Sequence, residues 1–185
     1  MSLMTVSIVL GVFLLLFIIL TFNRLVALNN RKNEAWFQIE VQIKRRADLV
    51  PNLVETVKGY AKHERETLEK VIQARSMLQR AGPDMQKLTE ANNILTGALK
   101  SLFAVVESYP DLKANQNFLN LQTELAGIED RIAYARQFYN ETVRMYNEFQ
   151  QIFPVNMFAS MFGHKIAQYF EITDAQDRQR PEVKF

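Results

Sequence analysis

The sequence predicts an all-α protein: an N-terminal transmembrane helix followed by an antiparallel up-and-down four-helix bundle with long helices. Three observations carry this prediction. Leu3 to Phe22 contains no charged residue. Phe118, Leu121, Leu125, Ile128, Ile132, Ala135, Tyr139, Thr142, Tyr146, Phe149 and Phe153 follow one another at alternating steps of three and four, the spacing of a single apolar seam on a helix. Pro51, the Gly82-Pro83 pair, Pro110 and Pro154 punctuate the rest into helical lengths, and no stretch alternates with a period of two.

Length and composition bound the reading. A chain of 185 residues, 48% of them apolar, has room for one domain and an anchor. A net charge of +2 implies neither a nucleic-acid surface nor an acid-seeking one. The absence of cysteine excludes disulfides, thiolate metal sites and a cysteine nucleophile.

Residues 1–22 form the expected anchor. The twenty residues from Leu3 to Phe22 match a hydrocarbon core of about 30 Å at helical rise. A cleaved signal peptide is the competing reading. It is disfavoured because no Lys or Arg precedes the apolar run and no small-residue cleavage site follows it. Arg24, Arg31 and Lys32 follow the span. By the positive-inside tendency they put the short amino end outside and the rest in the cytoplasm.

Residues 23–153 form the expected bundle. Leu28, Ala35, Trp36, Ile39, Ile43 and Ala47 share a helical face, so one helix is expected to leave the membrane and run to about Arg46. Lys44, Arg45 and Arg46 read as a solvated basic face; headgroup binding is disfavoured because the cluster would lie roughly 35 Å beyond Phe22. Pro51 is expected to end or kink this helix, since it lacks a donor and restrains Val50. Leu53, Val57, Tyr60, Ala61, Leu68, Val71, Ile72 and Leu78 mark a second helix, closed by Gly82-Pro83. Leu88, Ala91, Leu95, Leu99, Leu102, Val106 and Tyr109 mark a third, ending near Ser108 ahead of Pro110. The longest helix is expected from about Leu112 to Phe153, roughly 60 Å at helical rise. Short connections favour antiparallel neighbours.

Pro154 stops that helix. Residues 154–173 are strongly apolar, with Met157, Phe158, Met161, Phe162, Tyr169 and Phe170 as candidate docking or oligomer contacts and Gly163 as a C-cap. The bundle, the membrane interface and a second copy compete for this segment. Docking is preferred over lipid, because only His164 and Lys165 are basic there. Residues 174–185 are polar, aperiodic and expected to be mobile.

Within the long helix the sequence reads Phe138-Tyr139-Asn140-Glu141-Thr142-Val143-Arg144-Met145-Tyr146-Asn147-Glu148-Phe149, and Phe153-Pro154 closes it. A separation of seven puts both tyrosines on one face and both asparagines on the adjoining one. The rings can fill a seam while the asparagines fix register by hydrogen bonding across helices. We read Tyr139, Asn140, Tyr146, Asn147, Phe153 and Pro154 as a packing and interaction motif, ahead of a ligand surface.

These paired Tyr-Asn steps resemble the signature of the LemA family. So do Arg45 to Glu64 (RRADLVPNLVETVKGYAKHE), Gln73 to Ser76 (QARS) and Tyr109 to Phe118 (YPDLKANQNF). The resemblance implies a bacterial membrane protein with a helical-bundle domain, and relatives in magnetosome-forming bacteria are associated with building that organelle. It supplies no catalytic residue or cofactor to carry over.

The residues themselves suggest no reaction. His63 and His164 are far apart, and no Glu-x-x-His or His-x-x-x-His occurs. No phosphate-binding glycine loop or Gly-x-Ser-x-Gly elbow is present. His63, Glu64 and Glu66 read as solvated surface, and Glu107 and Glu129 as ionic partners of Arg131 or Arg136. A basic stripe with interleaved aromatics is missing, so no nucleic-acid partner is expected. The expected protein is a non-enzymatic, cofactor-free scaffold in a bacterial inner membrane. Its partners would be the bilayer through residues 3–22, further copies of itself and other membrane proteins. The alternatives are a lipid-binding or membrane-remodelling protein and, last, an enzyme with a cryptic site.

Overall fold

The computed structural model describes residues 3–61 and 63–170 of the chain. Among them are six helices and no strand: α1 Leu3–Tyr60, α2 Arg65–Arg80, α3 Met85–Val106, α4 Pro110–Lys113, α5 Gln116–Gln151 and α6 Val155–Met161. The protein is all-α, as the apolar spacing predicts. The polar tail at 174–185, and the last three residues of the expected docking segment with Ile172, lie outside the described residues. Two compact units divide the chain: Met1–Phe37 with Ala135–Phe185, and Gln38–Tyr134.

In the second unit the main departure from expectation is at Pro51. It neither ends nor opens a helix; α1 runs through it to Tyr60. A proline inside a helix leaves the carbonyl four residues earlier without its usual donor. Here that carbonyl belongs to Ala47, and the Arg75 Nε of α2 donates to it at 2.9 Å. The guanidinium thus replaces the missing backbone donor. The break comes later instead, after Tyr60 and before Arg65; Ala61 is buried there and Glu64 accepts a hydrogen bond from the Tyr109 hydroxyl at 3.0 Å.

α2 buries Leu68, Val71, Ala74 and Leu78 and packs against α3. The turn between them needs Gly82, whose φ of 63° suits a residue without a Cβ. Asp84 then caps α3 by accepting from the Lys87 amide at 3.0 Å. The long helix expected from Leu112 is preceded by a separate turn, α4, with Pro110 at its start. Asn115 starts α5 by accepting from the Phe118 amide at 3.1 Å.

The basic cluster is also not a uniform solvated face. Arg46 is buried. It pairs with Glu129 at 2.7 Å and donates to the Thr96 hydroxyl at 2.9 Å, while Arg45 pairs with Glu124 at 2.9 Å. Glu129 therefore pairs across the unit with α1. Glu107 pairs with Lys113. Helical spacing shows which residues share a face of one helix, and these partners lie on different elements.

In the first unit, residues 3–16 of α1 are exposed on every side, and cover begins only at Phe17, Ile18 and Thr21. Leu25 joins Val155 and Ala159 of α6 in a small core, with Phe17, Phe149 and Phe162 packed around it. α6 ends at Met161, and Gly163 just beyond it, with a φ of 76°, lets the chain reverse. The Gly163 amide donates to the Ser160 carbonyl and the His164 amide to the Ala159 carbonyl, a Schellman closure. Beyond it the chain runs without helix from 164 to 170.

Candidate functional site

The two Tyr-Asn pairs converge on the non-helical segment 164–170, all within the first unit. Asn140 and Asn147 each grip one residue of that segment by its backbone. The Phe170 amide donates to the Asn140 Oδ1 at 2.7 Å, and the Asn140 Nδ2 donates back to the Phe170 carbonyl at 3.1 Å. The Ala167 amide donates to the Asn147 Oδ1 at 2.8 Å, and the Asn147 Nδ2 donates to the Ala167 carbonyl at 2.9 Å. A carboxamide carries a donor and an acceptor side by side, as a peptide group does. Each asparagine therefore replaces the neighbouring strand that an extended residue would otherwise need.

The spacing of the two clamps follows from chain geometry. Seven helical residues rise about 10.5 Å. Three extended residues, from Ala167 to Phe170, cover about 10 Å. The earlier asparagine takes the later residue, so the segment runs antiparallel to α5. The sequence reading expected these asparagines to set register between helices. Their partner is instead the backbone of an extended strap, which offers free amides and carbonyls where a helix has already used its own.

Three more side chains complete the row. The Tyr139 hydroxyl donates to the Gln168 carbonyl at 3.1 Å. The Tyr146 hydroxyl is hydrogen-bonded to the His164 Nδ1 at 2.9 Å. Gln150, buried one turn beyond Tyr146, has its Nε2 3.5 Å from the Lys165 carbonyl. Asn147 and Gln150 are buried polar groups; the strap's backbone satisfies Asn147, while the Gln150 Nε2 lies between the strap and the Tyr146 carbonyl of its own helix, 3.4 Å away.

Aromatic packing holds the far end. Phe170 is buried; its ring lies 6.2 Å from Trp36 and its face 4.7 Å from the Arg136 guanidinium. Trp36 also meets Tyr139 edge-on at 5.7 Å. Arg31 lies over Phe138, and the Lys32 ammonium lies 5.0 Å from the Tyr146 ring centre. Burial pushes the Tyr139 hydroxyl pKa up to about 12 and raises that of Tyr146. The same cause lowers that of Lys32.

The remaining candidate residues divide. Phe158 and Phe162 pack on Phe17 and Phe22, with ring centres 6.1 and 5.1 Å apart. Phe153, Met157, Met161 and Tyr169 are exposed, and Pro154 sits in the turn before α6. Phe153 and Pro154 take no part in the asparagine row. Trp36, Gln150 and Arg136 belong to the site and were not singled out as its residues from sequence. Trp36 and Arg136 lie far apart in the chain, and nothing local marks them as partners of Phe170. In the second unit, Glu66 pairs with Lys70 at 2.7 Å and Glu64 with Tyr109, both away from His63.

This arrangement latches a strap to α5. Residues 35–185 match the profile of the LemA family. Protein LemA of Metamycoplasma hominis is 31% identical over 154 residues, which cover 83% of this chain and 63% of that protein. Magnetosome protein MamQ 2 of Paramagnetospirillum magneticum is 27% identical over 201 aligned positions, covering 95% of this chain and 74% of its own. Magnetosome protein MamQ of Magnetospirillum gryphiswaldense is 34% identical over 80 residues, covering 43% of this chain and 29% of its own. The chain thus spans less than two thirds of the mycoplasma protein.

Proposed function

Because the chain belongs to the LemA family, we propose that it is a non-enzymatic, single-pass anchored scaffold that self-associates in a bacterial inner membrane. The observation that carries this reading is the state of α1. No residue in the most apolar 18-residue stretch of the helix is buried, and residues 3–16 are exposed on every side. An uncharged helix apolar on every face is stable where hydrocarbon surrounds it, and this fits a membrane location. The same helix runs on past the apolar stretch to Tyr60.

Arg24, Arg31 and Lys32 on the carboxyl side of the span favour a cytoplasmic domain. Self-association draws on large apolar side chains left in the open, Phe37 at 62% exposure and Tyr134 at 71% among them. Anchored chains meet in two dimensions, which raises their effective concentration. Two of the relatives named above are magnetosome proteins by name, which supports a role in organising structure. Two measurements on the full chain test the reading. Carbonate washing should leave it in the membrane pellet, and light scattering in detergent should give one defined oligomer. Release by carbonate contradicts the anchor, and a monomer contradicts the scaffold.

A further inference from the structure

We propose that α6 and the turn before it lie in the boundary layer of the same bilayer that Leu3–Phe22 crosses. They would form an apolar collar around the exit of the span. The inference rests on reading Leu3–Phe22 as a membrane span.

The placement follows from what α6 touches. Phe158 meets Phe17, Phe162 meets Phe22, and Val155 and Ala159 pack on Leu25. Phe17 lies five residues inside the end of the apolar stretch, about 7.5 Å along the helix axis. Interfacial helices sit about 5–10 Å into the boundary between headgroups and acyl chains. A helix whose Phe158 meets Phe17 edge-on, and whose Val155 and Ala159 pack on Leu25, lies across the end of the span with Phe158 at that depth.

What α6 exposes fits the same level. Met157 and Met161, one turn apart, are 63% and 68% exposed. Ile152 and Phe153 in the preceding turn and Ile166 just beyond are exposed as well. Like residues 3–16, these side chains are apolar and left exposed. The sequence reading disfavoured lipid because the segment has few basic residues. That argument concerns helices drawn to the surface by charge, whereas α6 is delivered there by its packing on α1. The occupant is therefore the acyl boundary of the bilayer, whatever the charge of its headgroups.

The chain has no cysteine, so single cysteines can carry nitroxide labels without background. The test uses the full chain in phosphatidylcholine–phosphatidylglycerol vesicles. A version lacking residues 1–22 would strip Phe158 and Phe162 of their cover and bind lipid for that reason alone. Labels go on Leu10→Cys, Met157→Cys, Met161→Cys and Gln122→Cys, and each is tested for access to oxygen and to a water-soluble nickel complex. The proposal expects oxygen to be favoured several-fold at 10, 157 and 161, and nickel at 122. Lipid exposure at 10 with nickel access at 157 and 161 overturns the collar and leaves the span standing. Nickel access at 10 overturns the span itself. A label at 157 or 161 shielded from both agents means that protein covers α6, and this also overturns the collar.

Discussion

Asn147 and Ala167 share a closed pair of hydrogen bonds, amide to Oδ1 at 2.8 Å and Nδ2 to carbonyl at 2.9 Å, between a helix side chain and an extended backbone. Asn147 is 3% exposed. Removing it strands a donor and an acceptor of the strap beside an apolar wall, at a cost of about 1–3 kcal/mol for each unpaired group. N147A should therefore destabilise the protein by about 2–4 kcal/mol. N140A should cost less, because Asn140 is only half-buried. Chemical denaturation checks the order, and backbone hydrogen exchange should speed up at Ala167 in the first variant and at Phe170 in the second.

Asn147→Asp separates geometry from mere polarity. The carboxylate can still accept from the Ala167 amide, but it faces the Ala167 carbonyl with no hydrogen to offer. N147D should be destabilised near neutral pH and recover part of the loss as pH falls and the carboxyl group protonates. A pH series of melting temperatures reads this. An unchanged melting temperature at pH 7 would show that the donor half of the clamp is idle.

The Pro51 site makes a separate prediction. Arg75→Met keeps an unbranched side chain but withdraws the donor to the Ala47 carbonyl, and should cost about 1–2 kcal/mol. In a Pro51→Ala background the helix regains its own amide for that carbonyl. The same R75M change should then cost less than half as much. A double-mutant cycle by urea denaturation gives the coupling, and strict additivity would disprove the replacement of the backbone donor by Arg75.

These two sites also show what sequence carries and what it does not. The uncharged apolar N-terminal helix, the seams of α3 and α5 and the left-handed turns at Gly82 and Gly163 can be read directly, because each is a local pattern of side chains. Of the two outcomes expected at Pro51, the helix end does not occur, because its compensation comes from Arg75 on another helix. The break at 61–64 carries no proline and no glycine. Asn140 and Asn147 were legible as a pair, by their separation of seven. Their partner was not, since the strap is gripped through its backbone, and backbone groups leave no trace in residue identity. Arg46 looked like one of three solvated cations until Glu129, 83 positions later by the numbering, supplied its charge partner.

Tyr139 sets an alkaline limit. Its hydroxyl pKa is raised to about 12 by burial, while in the unfolded chain it sits near 10. The folded state favours the neutral form, so the stabilisation is complete below about pH 10 and is lost as pH rises toward 12. The loss for this group is bounded at about 2–3 kcal/mol. Tyr146 shifts in the same direction. Wild-type melting temperature should fall between pH 10 and 12, and Tyr139→Phe should flatten part of that fall at a small cost near neutrality.

The most direct test of a membrane-held, cytoplasm-facing protein is chemical access to its domain from outside the cell. Gln122 is exposed on α5, and Gln122→Cys would be the chain's single thiol. An impermeant maleimide added to intact spheroplasts should leave it unmodified, and lysis should make it react fully. Modification before lysis would contradict the topology on which the scaffold reading depends.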